Sequence, residues 1–72
     1  MAPKEHGPQN KIRELRETAG ITIDQLGDQL GVTGRTIYRW EAGAVQIPDE
    51  QKIALANLFG VPVTYLMGWD QP

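Results

Sequence analysis

A chain of 72 residues and 8.0 kDa has room for one domain and one small core, and little for a deep catalytic cleft. Hydrophobic residues at 40% and charged residues at 22% lie in the ordinary globular range, and the lack of cysteine excludes a disulfide framework and a thiolate zinc site. A net charge of -2 and a pI near 5.2 run against the basic footprint usual in nucleic-acid binding, so only the placement of charge can support such a reading.

Residues 1–7, "MAPKEHG", are polar and without periodicity and read as a flexible arm. Pro8 is expected to open the first helix and the domain, which runs to residue 68; residues 69–72 read as a tail or the start of a linker. Ile12, Leu15 and Ala19 recur at helical spacing, and Gly20 ends the run. In "TIDQ", Thr22 stands at an N-cap with Gln25 three residues on, the reciprocal pattern of a capping box, and Ile21 and Leu26 occupy the staple positions. Leu26 and Leu30 form an apolar face of this second helix, and Gly31 takes the left-handed position after it.

The same start signal then returns, with Thr33 as cap and Val32 and Ile37 as staple. A connection of only Gly31 and Val32 forbids an antiparallel pair, so the second and third helices must cross steeply. Gly27 removes the side chain where they approach. Two short helices joined this way make a helix-turn-helix. The third helix is expected to end near Gly43, with Ile37 and Trp40 on its core side. "AVQIPD" reads as a loop handing over to a fourth helix capped by Asp49 and running through Ile53, Ala56 and Phe59 to Gly60. "VPVTYLMG" allows one or two further turns. The sequence has neither repeats nor strand-like alternation, and the expected architecture is all-α with five helices in one domain.

Those blocks, "KIRELRETAGIT", "LGDQLGVTGRTIYRWEAG", "IPDEQKIALANLFGV" and "TYLMG", resemble the Cro/repressor (XRE-type) helix-turn-helix family over nearly the whole chain. The resemblance implies a lambda-repressor-like five-helix bundle in which helices 2 and 3 form the DNA-binding unit and helix 3 lies in the major groove. It implies a transcription regulator, most often a bacterial or phage repressor, acting as a homodimer on a two-fold operator in double-stranded DNA; the cytoplasm is the expected location because the sequence offers neither a membrane span nor a secretory signal. It also pairs Arg16 of the "LR" block with Glu41 of the "WE" block as a structural ion pair.

In helix-turn-helix docking the N-terminal end of the recognition helix meets base edges, which here means Thr33, Gly34, Arg35 and Thr36, with Arg39 one turn on. Arginine suits guanine because its planar fork donates to O6 and N7 together. In isolation two arginines on a helix face are more often solvated charges than ligands; the surrounding motif reverses that balance. Thr22, Lys11, Arg13, Tyr38 and Lys52, with Lys4 in the arm, are the expected phosphate contacts. The chain departs from the family pattern in three places: Ile23 stands where members often have a phosphate-gripping glutamine, the loop "GAVQIP" carries no charge, and Gly27 replaces the usual alanine. Met67 and Trp69 are the expected apolar residues of a dimer contact.

Other chemistry finds no foothold in the sequence. His6 has no second histidine to share a metal, and the pairs Glu14 and Glu17, and Asp24 and Asp28, read as solvated helix faces without a nucleophile beside them, so no enzyme, cofactor, metal or small-molecule substrate is expected. No apolar run approaches the roughly 20 residues that span a bilayer, and the first ten residues lack the apolar centre of a secretory signal. The acidic pI and uncharged loop favour one alternative, a protein-interaction or antitoxin-like module on the same scaffold.

Overall fold

The strongest local signal in the chain, Thr22 with Gln25, forms a complete capping box: Thr22 Oγ1 accepts from the Gln25 N–H at 3.0 Å, and Gln25 Oε1 accepts from the Thr22 N–H at 2.8 Å. Two of the orphan N–H groups at the start of the helix are thereby satisfied. The structure, a computed structural model, describes residues 10–69. Within them stand α1 (Ile12–Ala19), α2 (Ile23–Leu30), α3 (Gly34–Glu41), α4 (Asp49–Phe59) and α5 (Val63–Met67), with no strand among the described residues. Thr33 caps α3 by accepting from the Thr36 N–H at 3.2 Å.

α1 opens at Ile12, whose N–H donates to Asn10 Oδ1 at 3.2 Å, and the described residues 10 and 11 before it are not helical. Pro8, the arm at 1–7 with Lys4 and His6, and the tail at 70–72 lie outside the described residues. Asp49 is the first residue of α4 and not its cap; Pro48 holds that position, without a side-chain bond. Proline serves here because its fixed φ suits a helix entry, although it leaves the first N–H groups uncapped by any side chain.

The core is one cluster of Ile12, Leu26, Ile37, Trp40, Ile47, Leu55, Ala56 and Leu66, so every helix and the α3–α4 loop contribute to it. Two residues of the runs read along the first and fourth helices lie outside it altogether. Ala19 is exposed, since α1 lies on the core through Ile12 and Leu15 and its last turn passes beyond it. Ile53 is also exposed, because α4 turns the stripe of Leu55, Ala56 and Phe59 inward. Apolar residues occur all round α4, so spacing alone does not choose its buried face.

α2 and α3 meet at Gly27. A methyl group there would stand 2.6 Å from the Val32 carbonyl oxygen and 3.1 Å from the Thr33 carbonyl carbon, both backbone atoms of the turn. The turn itself is made by Gly31 at φ 75°, a left-handed conformation in which a side chain would be strained. The missing Cβ at position 27 therefore sets how closely the two helices cross.

Long-range polar bonds fasten α1 to this unit. Arg16 Nε donates to Glu41 Oε2 at 2.7 Å, and another guanidinium nitrogen donates to the Ile21 carbonyl at 3.0 Å. The side chains are 12% and 6% exposed. Asn10 Nδ2 donates to the Trp40 carbonyl at 2.9 Å, and the Lys11 N–H to the Leu66 carbonyl at 2.7 Å.

Gly27→Ala sets a helix-propensity gain of about 1 kcal/mol against an overpacking cost of about 1–3 kcal/mol. The expected result is a net loss of stability in denaturant unfolding, although alanine is the better helix former. Glu41→Ala strands the half-buried Arg16 charge and is expected to remove about 3–5 kcal/mol. A melting temperature equal to the parent's would contradict that weight for the pair.

Candidate nucleic-acid interface

Burial divides α3 into two sides. Ile37, Trp40 and Glu41 face inward, while Arg35, Tyr38 and Arg39 are exposed, Tyr38 by 61%. Residues 35 and 39 are one turn apart and so lie on one face of the helix, with 38 beside them.

The other residues of the expected base-reading set are occupied to different degrees. Thr33 is exposed, but its hydroxyl already accepts from the Thr36 N–H and lies 3.1 Å from the Thr36 hydroxyl. The two threonines thus bond to each other as well as to the helix end. Gly34 is half-buried and its Cβ direction points at α2, where a methyl group would overlap the Asp24 carboxylate and approach Ile23 Cγ2 to 2.9 Å. It presents backbone only to the outside.

The expected phosphate contacts are scattered and mostly committed. Arg13 is exposed and forms an i,i+4 pair with Glu17 at 3.1 Å. Arg13 and Tyr38 border one hollow of about 280 Å³, with Asn10, Glu41 and Ala42. Lys11 lies 3.9 Å from Glu14 and 5.9 Å from the centre of the Tyr65 ring. Lys52 is paired with Asp49 at 3.4 Å and sits 5.1 Å over the Trp69 ring, with its side chain only 20% exposed. Thr22 is exposed at the start of α2, its hydroxyl engaged in the capping box.

With Arg16 held by Glu41, four of the cations within the described residues have a carboxylate partner. Among the described residues, Arg35 and Arg39 have none within 4.0 Å. Positive charge open to an incoming anion is therefore concentrated on the exposed side of α3, in a chain whose sum is negative. The surface expected for a dimer divides too: Trp69 is exposed, whereas Met67 is half-buried and packed against the core.

Two residues of this region escape a reading by spacing. Asn10 has the residue type of a helix cap, but its bond to the Trp40 carbonyl is a tertiary contact across 30 residues. Asp24 looks like a solvated charge until the side chain missing at Gly34 is considered. No described helix is long and apolar enough to cross a membrane.

The family model described as "Helix-turn-helix" matches residues 12–66, from the first residue of α1 into α5. The chain belongs to the Cro/repressor-like (XRE-type) helix-turn-helix family. This helix-turn-helix chain is 39% identical over 54 residues to a protein of Pyrobaculum aerophilum named as an HTH-type transcriptional regulatory protein, an alignment covering 75% of this chain and 22% of the relative. It is 29% identical over 58 residues to the uncharacterized HTH-type transcriptional regulator YobD of Bacillus subtilis, covering 81% and 52%. A protein of Pyrococcus furiosus, also named as an HTH-type transcriptional regulatory protein, is 32% identical over 53 residues, covering 74% and 17%. The chain thus spans between about a sixth and about half of the length of these curated relatives. Archaeal proteins stand among them, which widens the bacterial and phage range implied by the sequence resemblance. No solved structure matches the chain.

Proposed function

We propose that this chain is the sequence-specific double-stranded DNA-binding module of a transcriptional regulator, working in the cytoplasm, with α3 read into the major groove. One observation carries the reading: the two described cations without a carboxylate partner, Arg35 and Arg39, share the exposed face of α3. The names of the relatives support regulation as the setting.

In this reading the short turn at Gly31 and Val32 lets the first turn of α3 protrude while Ile37 and Trp40 anchor the helix to the core. Arg35 and Arg39 present guanidinium forks to guanine O6 and N7, and the Thr33 and Thr36 hydroxyls border the same edge. Thr22, Tyr38, Arg13, Lys11 and Lys52 touch phosphates and set the register. For the three cations of that group, contact requires exchanging a carboxylate for a phosphate. Two copies bind a two-fold operator as a homodimer whose half-sites lie about one helical turn, roughly 34–36 Å, or a multiple of it apart. The expected sign of regulation is repression.

Arg35→Ala is expected to lose about 1–3 kcal/mol on the preferred duplex and to relax the preference at one base pair. Titration against a set of single-base variants reads this directly; an equal loss on every duplex would make Arg35 a phosphate contact. The paired cations also predict a shallow salt dependence. Each phosphate neutralised contributes a slope of about -0.9 in log K against log salt, so a dimer with few open cations should show on the order of -4 to -6. A slope near -10 would refute this placement of charge. Failure to shift any duplex at low salt would favour the protein-interaction module instead.

A further inference from the structure

Asp24 belongs to α2 but rests against α3. The Cβ position of Gly34, the first residue of α3, is taken by the Asp24 carboxylate oxygen Oδ1, with Ile23 Cγ2 2.9 Å away. Any side chain at position 34 would push that carboxylate aside. Asp24 is nonetheless exposed and, like Asp28 and Glu50, has no cationic partner among the described residues, whereas Glu14, Glu17, Glu41 and Asp49 each hold one. α3 carries no acidic residue in its own first turn, so this carboxylate supplies an acceptor to an end of the helix whose own charged side chain is Arg35. An acceptor-only carboxylate thus lies against the first residue of α3, one position in sequence before the donor-only Arg35.

We infer that Asp24 is a specificity-determining residue, its carboxylate accepting from the exocyclic amino group of a cytosine beside the guanine read by Arg35. The inference rests on the DNA-reading function proposed above and adds a second, opposite chemistry to it. In the major groove, cytosine offers N4–H2 as a donor, and guanine offers only the acceptors O6 and N7. Adenine sets its N7 acceptor beside its donor, and thymine offers O4 and a methyl group. A carboxylate is therefore matched by cytosine and repelled by the acceptor edges of guanine and thymine and by phosphates. It rejects as well as selects, which is how discrimination is sharpened when few attractive contacts are present. Gly34 is part of the device, because its missing side chain lets the carboxylate reach this place.

The test is selection from a random duplex pool, followed by titration of the parent, Asp24→Asn and Gly34→Ala on single-base variants of the selected site, with thermal melting of all three proteins. The parent should prefer cytosine at one position by about 5-fold or more, the lower end of what a good base contact discriminates. Asp24→Asn should move that preference toward adenine, whose N6 and N7 suit an amide that both donates and accepts, while the Arg35 guanine stays unchanged. Gly34→Ala should weaken the same cytosine preference, since the carboxylate it displaces is the end of a flexible side chain, with a lowered melting temperature from the Ile23 Cγ2 contact but a folded protein. An Asp24→Asn protein that binds every duplex more tightly by one common factor would show a merely repulsive charge and overturn the inference. So would an unchanged base preference with a lowered melting temperature, which would make Asp24 a charge stabilising the end of α3. A parent that binds duplexes without selectivity, or not at all, would overturn the DNA-reading function together with the inference; selective binding untouched by Asp24→Asn would overturn the inference alone.

Discussion

The contact between Arg16 and Glu41 constrains more of this molecule than any other. Glu41 is the last residue of α3, almost fully buried, and its carboxylate is met by a guanidinium that also holds the Ile21 carbonyl at the entrance to α2. Three helices are thus tied at one point. A buried charge is tolerated only while its partner and hydrogen bonds stay in place, so the pair has few alternative geometries. Glu41 turned inward beside Ile37 and Trp40 fixes the rotation of α3 about its own axis. That rotation leaves Arg35 and Arg39 on the outside. The charge that faces solvent is positioned by a charge that does not.

Electrostatics of the rest of the surface follow a different pattern. Lys11, Arg13 and Lys52 are each drawn to a carboxylate on their own helix or at its start, and Lys11 and Lys52 lie within 6 Å of aromatic rings. Exposed pairs of this kind are individually weak, about 0–1 kcal/mol, and readily exchanged. They offset positive charge elsewhere on the surface and leave Arg35 and Arg39 as the cations without a carboxylate partner among the described residues.

Local chemistry explains what could be read in advance. Thr22 and Gln25, Thr33, and the glycines at 20 and 31 act within three or four residues of themselves, so their roles follow from spacing, and the capping box and left-handed ends stand in the structure. Gly27 was legible because a two-residue turn leaves no other way for the helices to approach. Tertiary partners are another matter. Nothing near Asn10 in the chain points to the Trp40 carbonyl, and nothing near Ile53 shows that Leu55 rather than Ile53 turns inward. Pro48 displaced Asp49 from the cap position although aspartate is the better capping residue, because the entry to α4 is governed by backbone shape rather than by a side-chain bond. For the candidate interface the arginines were evident from their position in the motif. The pairing of Lys11, Arg13 and Lys52, and the seat of Asp24 against Gly34, depend on side-chain placement and were not.

The polar bonds that hold α1 have a consequence for how the molecule assembles. α2 and α3 are joined by the three residues Gly31, Val32 and Thr33, and α4 and α5 are likewise neighbours in the chain, so each of these pairs closes only a short loop. α1 is different: its ties run from Asn10 to Trp40, from Arg16 to Glu41 and from Lys11 to Leu66, across 30 residues in the first case and 25 in the second. Loop-closure entropy rises with the length of chain enclosed, so the long closures are the ones that local structure does not help. Docking of α1 is therefore the step that carries the conformational search, and its release is the opening that would bare Ile12 and the Trp40 side of the core first to exchange with solvent.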